Sequence, residues 1–158
     1  PPLMFKKALS GELDAVINYW HFTAKMKSRG MRTVLSVADT SSALGLDSTT
    51  PLLGYVFNRD LPNSASLMPN MVKASQEAKK ILLQQQNAWD RLRPLMKAKT
   101  DSDFEFLVNG FRAGVPTKPV NLASVQEMLN IMSKSGGDQL VGDLTTLPDD
   151  LFYAADVN

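Results

Sequence analysis

The sequence predicts an α/β fold, in which short strands alternate with helices over the first fifty-seven residues and helices alone follow. Three observations predict it. Residues 13–19 (LDAVINY), 33–37 and 52–57 (LLGYVF) are rich in β-branched and aromatic residues and are bounded by turn formers. Between the first two, Phe22 and Met26 stand four apart on a helical face. Beyond residue 66, Met68, Met71, Val72, Leu82, Trp89, Leu92 and Met96 keep the three- and four-residue spacing of an amphipathic helix.

Taken in order, Pro1 and Pro2 open a helix with Leu3, Phe5 and Leu9 on its apolar face, and Gly11 stops it. The Ala15-Val16-Ile17 centre of residues 13–19 predicts a strand buried on both faces, as in a parallel sheet. Residues 21–29 form the next helix with Gly30 as its C-cap, and 33–37 the next strand. Residues 38–51 are rich in Ser, Thr, Asp and Gly, and Ser48-Thr49-Thr50-Pro51 reads as a hinge leading into the strand 52–57.

A long helix then starts near Ser66 or Met68, carries Pro69 in its first turn and ends or kinks at Pro94. A second, capped by Thr100 or Asp101, buries Phe104, Leu107, Val108 and Phe111 and closes at Gly114 and Pro116. A third is capped by Asn121, buries Val125, Met128, Leu129 and Met132, and stops at Gly136-Gly137. The tail from residue 138 is acidic, with Asp138, Asp143, Asp149, Asp150 and Asp156, and is docked by Leu147, Leu151, Phe152 and Tyr153.

Composition narrows the function classes. Seventeen Lys and Arg balance sixteen Asp and Glu over 158 residues, which argues against a dedicated nucleic-acid binder. A hydrophobic fraction of 44% is that of a chain with a packed core. Without cysteine there is no disulfide, thiolate metal site or cysteine nucleophile. No apolar run approaches the roughly 18 residues that cross a bilayer. Pro1, with no charged and then apolar leader behind it, reads as a processed or truncated start. The seven Lys and Arg of residues 71–100 read as the solvated face of the long helix.

Catalytic and metal chemistry find little material. The single His21 builds no multi-histidine site, no HExxH or EF-hand pattern is present, no GxSxG elbow presents a serine, and no GxGxxG or GxxxxGK loop cradles phosphate. No metal, cofactor or catalytic residue is assigned. The informative cluster is Asn18-Tyr19-Trp20-His21-Phe22, at the junction of a predicted strand and the next helix. In open α/β sheets ligands sit at the carboxyl ends of strands, beside helix N-termini. Trp20 and His21 lie at that edge and are therefore ligand candidates. Tyr19 and Phe22 fit the core, and Trp20 and His21 serve equally well as a sheet cap and a helix-start residue. A second candidate is the segment Gly54-Tyr55-Val56-Phe57-Asn58, because a glycine in a strand marks close approach by backbone or ligand, with an ordinary strand as the alternative. Trp89, with Arg91 and Arg93, fits helix packing better than a binding surface.

The stretch Gly11 to Phe22 (GELDAVINYWHF), with Lys25 to Gly30 and Leu52 to Phe57, resembles the second half of substrate-binding proteins of nitrate, sulfonate and taurine type ABC transporters. Trp89 to Met96, Phe111 to Pro116 and Gly136 to Gly142 resemble the C-terminal helices and tail of the same group. The resemblance implies part of a type II periplasmic-binding-protein fold. Residues 1–50 would close lobe two as a short βαβ portion, and 51–158 would supply the return hinge strand and the C-terminal helices of lobe one. The first half would be missing, leaving a broken apolar surface and a fragment prone to self-associate. It further implies a periplasmic or extracellular solute-binding component of an importer. A small organic ligand, with an anion among the options, would be held between two lobes by Asn18, Trp20, His21 and Tyr55 and delivered to permease subunits, the only link to a membrane. Two alternatives stand beside it: an enzyme of the related thiamine-pyrimidine-precursor type, and a non-catalytic helical interaction module.

Overall fold

Helices form where three- and four-residue apolar spacing meets a cap, and the computed structural model, which describes residues 1–153, is built of them. They are α1 (Pro2–Leu9), α2 (Trp20–Lys27), α3 (Val37–Ala43), α4 (Ser64–Gln84), α5 (Gln86–Leu92), α6 (Asp101–Ala113), α7 (Leu122–Gly136) and α8 (Asp138–Val141), with a 3-10 turn at Arg93–Leu95. The caps are the predicted ones. Thr100 Oγ1 accepts the Asp103 N–H at 3.0 Å, and Asn121 Oδ1 accepts those of Ala123 and Ser124 at 3.1 and 3.3 Å. Gly30 and Gly137 take the left-handed φ of +84° and +56° that end α2 and α7. The long helix breaks earlier than predicted, at Gln85, and Pro94 lies in the 3-10 turn beyond. Pro69 sits inside α4 rather than in its first turn, because the helix begins at Ser64.

The α/β expectation is overturned. No strand forms among the described residues, so neither a βαβ portion nor a hinge strand exists there, and the likeness to a type II periplasmic binding protein is not supported. Residues 13–19 and 52–57 take no regular structure, and Val37, predicted to end a strand, starts α3 with Ser36 Oγ capping the Asp39 N–H at 3.0 Å. The physical reason is that β propensity measures fit to a pleated neighbour. A helix closes its hydrogen bonds within itself, whereas a strand needs a ladder partner, and these runs find none among the described residues.

The chain forms two compact units, one of residues 1–34 and 74–115, the other of 35–73 and 116–158. In the first, Trp89, Phe104 and Val108 make the core, flanked by Leu82, Leu92, Met96 and Phe111. Trp89 donates its indole N–H to the Leu82 carbonyl at 2.6 Å and meets the Phe111 ring edge-on at 5.1 Å, which is the packing role its helical spacing predicted. Helix α2 packs on α6, where Gly110 lets the Trp20 ring approach. In the second unit α8 folds back on α7, with Leu140 lying over Gly136. Gln126 of α7 holds the following segment, donating to the Thr145 carbonyl at 3.1 Å and accepting the Leu147 N–H at 2.9 Å. The tail residues Leu151, Phe152 and Tyr153 remain 53, 40 and 41% exposed, so docking is partial; Asp156 lies outside the described residues.

Candidate functional site

The residues singled out in the sequence fall in both units. Asn18, Trp20 and His21 lie together at the start of α2 in the first. Asn18 donates from Nδ2 to the Pro1 carbonyl at 3.3 Å, and its Oδ1 accepts the Tyr19 N–H at 3.0 Å, so its amide fixes the chain entering the helix. Trp20 is half exposed, edge-on to Phe111 at 6.3 Å. The His21 ring lies 4.5 Å from that of Phe22, which in turn touches Phe5 at 5.4 Å. Asn18 thus ties the entry of α2 to Pro1 and Trp20 packs across onto α6, as expected of residues that seat a helix.

Tyr55 belongs to the second unit, and there it lines a groove of about 570 Å³, inside the size range of small-molecule sites. Residues 55–57 form one wall, the start of α4 with Ser64, Ala65 and Met68 another, and residues 150–153 the third. Phe57 and Tyr153 meet edge-on at 5.7 Å. Arg59 stands at the same wall, donating to the Asp150 carboxylate and to the Asp150 carbonyl, each at 2.6 Å. Hydrogen bonding from Arg59, and then its charge, hold the Asp150 carboxyl below the usual carboxylate range. Both partners are about two-thirds exposed, so water and salt screen the pair.

Sequence reasoning reached Tyr55 and its neighbours through Gly54, and named Phe152 and Tyr153 as docking residues. It missed Arg59 and Asp150, ninety-one positions apart and joined by the fold alone. It also missed a polar network in the first unit. Asp103 on α6, 1% exposed, accepts from Ser28 Oγ at 2.5 Å and from both Arg29 guanidinium nitrogens at 2.8 and 3.1 Å. No cluster of three His, Asp or Glu able to hold a metal occurs among the described residues, and no described helix is long and apolar enough to cross a membrane. Compared with known proteins, the chain matches no family model and no curated protein.

Proposed function

We propose that the protein is a non-catalytic binding component that captures a small organic ligand in the groove of its second unit. One observation carries this reading: four rings, those of Tyr55, Phe57, Phe152 and Tyr153, line one cavity together with a solvent-accessible guanidinium. Rings supply flat apolar surface for a small molecule, and a few polar groups fix its orientation. An anionic group on the ligand would take the place of the Asp150 carboxylate on Arg59. That exchange costs little, because an exposed ion pair contributes only ~0–1 kcal/mol. A planar organic anion is the chemistry that fits best. Delivery to permease subunits from a periplasmic or extracellular position is the fuller version of this proposal.

The test is a titration followed by amide chemical shifts, with benzoate, benzenesulfonate and taurine as probes. Perturbations concentrated at residues 55–59 and 150–153, and lost in Arg59→Ala and Tyr55→Ala, support the reading. Unmoved shifts at millimolar concentrations of all three probes overturn it.

A second reading, the helical interaction module, is favoured by a different observation. Residues 52–57 present Leu53 at 86% and Val56 at 97% exposure, with no helix or sheet to absorb them. Apolar surface gathered in this way marks an association site.

A further inference from the structure

We infer that the ligand of the second unit's groove is a zwitterion, an aromatic amino acid, with its carboxylate on Arg59 and its ammonium on Asp150; this names the ligand class and rests on the ligand reading of that groove. The pair itself displays the chemistry it would recognise. Arg59 turns two donors on Asp150, Nη1 to the carboxylate and Nη2 to the main-chain carbonyl, each at 2.6 Å. Once parted, the guanidinium offers those two N–H groups to a ligand carboxylate. Asp150 then offers two acceptors, one of them charged, to an ammonium that carries three donors.

A ligand with an oxyanion alone meets half of that chemistry. It takes Arg59 and sets its own charge beside the released Asp150 carboxylate. Asp60 and Asp149, next in the sequence to the pair and both exposed, bring two more carboxylates to the same loops. Three acids to one arginine favour a ligand that brings a positive charge with its negative one. An α-amino acid carries the two a single carbon apart, so the members of the pair need separate only slightly. A cation alone has the opposite fault, because it leaves Arg59 without a partner.

Each member of the pair holds its place without the other. Ser64 Oγ, at the start of α4, donates to the Arg59 carbonyl at 2.6 Å, and the Asp60 N–H donates to Asn58 Oδ1 at 2.9 Å, which fixes the loop that carries Arg59. Asp150 lies in a turn that the Leu151 N–H closes on the Pro148 carbonyl at 3.1 Å. Setting a ligand's two charges between them exchanges the exposed pair and leaves both turns standing. The ligand's side chain then falls among rings. Phe57, Phe152 and Tyr153 line the groove and keep part of their surface exposed, and about 570 Å³ has room for one ring more. That favours an aromatic amino acid over a short aliphatic one.

The experiment follows amide shifts of the full chain at neutral pH with three probes that share a phenyl ring: L-phenylalanine, 3-phenylpropionate, which lacks the ammonium, and phenethylamine, which lacks the carboxylate. Phenylalanine should bind about fivefold tighter than either analogue, the factor that one exposed charge pair allows. Asp150→Asn should weaken phenylalanine about fivefold and leave 3-phenylpropionate unchanged or tighter. Arg59→Gln should weaken phenylalanine and spare phenethylamine. An analogue that matches phenylalanine on the unsubstituted chain, or an Asp150→Asn that shifts phenylalanine and 3-phenylpropionate by one factor, overturns the inference and leaves the groove reading in place. Shifts moved by benzoate and not by phenylalanine do the same. If a variant loses its helical circular dichroism, the three probes on the unsubstituted chain decide alone. Shifts at residues 55–59 and 150–153 unmoved by these probes, benzoate and benzenesulfonate alike overturn the groove reading, and the inference with it.

Discussion

Asp103 and Arg29 form a two-pronged ion pair, with guanidinium nitrogens 2.8 and 3.1 Å from the two oxygens of a carboxylate that is 1% exposed. The pair ties α6 to the residues just beyond α2. Ser28 Oγ and the Lys99 N–H satisfy the remaining acceptor capacity, the latter at 3.3 Å. Arg29 is only one-third exposed, so the pair is shielded from water more than any other ion pair among the described residues.

Removing the carboxylate leaves the Arg29 guanidinium without its charged partner, with only the Lys25 carbonyl and Ser28 Oγ still accepting from it. Asp103→Ala should cost about 3 kcal/mol of stability, near the range for breaking a buried ion pair. Urea unfolding at pH 7 measures it, and a cost under about 1 kcal/mol would show that the network is ornamental.

The same pair sets an acid limit. Burial opposes ionisation of Asp103, but hydrogen bonds from Ser28 and Arg29, the Arg29 charge and the Lys99 N–H outweigh it, so its pKa lies below the ordinary carboxylate value. A group whose pKa is lowered by folding contributes stability above its unfolded value and loses it as pH falls through the folded one. Stability should therefore decline below about pH 4. The decline should be shallower in Asp103→Ala, as compared by urea midpoints at pH 6, 4 and 3.

Trp89 offers a second test of the first unit's core. Trp89→Ala should cost roughly 3–5 kcal/mol, since the indole fills the centre of the cluster. Trp89→Phe should cost less, because packing is largely kept and Arg112 Nε still donates to the Leu82 carbonyl at 3.2 Å. Equal losses in the two variants, read by thermal unfolding, would mean that the indole N–H outweighs the packing.

In the second unit, a Cβ built on Gly136 would stand 2.7 Å from Leu140 Cβ, too close for either backbone to stay in place. Gly136→Ala gains about 1 kcal/mol of helix propensity, yet it should displace α8. The expected readout is lost protection of the Gly142 N–H, which bonds to the Asp138 carbonyl at 2.9 Å. Retained protection would show that the turn absorbs the methyl group.

The first and last turns of α6 and α7 were legible because a helix is specified locally. Thr100, Asn121, Gly114 and Gly137 act on groups within four positions of themselves. The break at Gln85 carried no such signal, and the indole N–H of Trp89 reaching the Leu82 carbonyl across it appears only in three dimensions. Of the candidate site, Tyr55 was legible through its neighbour Gly54. The Arg59–Asp150 pair was not, because a single arginine and a single aspartate in loops carry no spacing to read.

The sequence by itself determined where the helices of residues 100–137 start and stop, and which face of residues 82–111 turns inward, because capping and three- to four-residue spacing are decided by near neighbours. Only the tertiary structure decided the fate of the three β-rich runs. A strand's hydrogen bonds belong to its partner, so the same residues that predict a sheet form no strand when the described chain brings no second strand beside them.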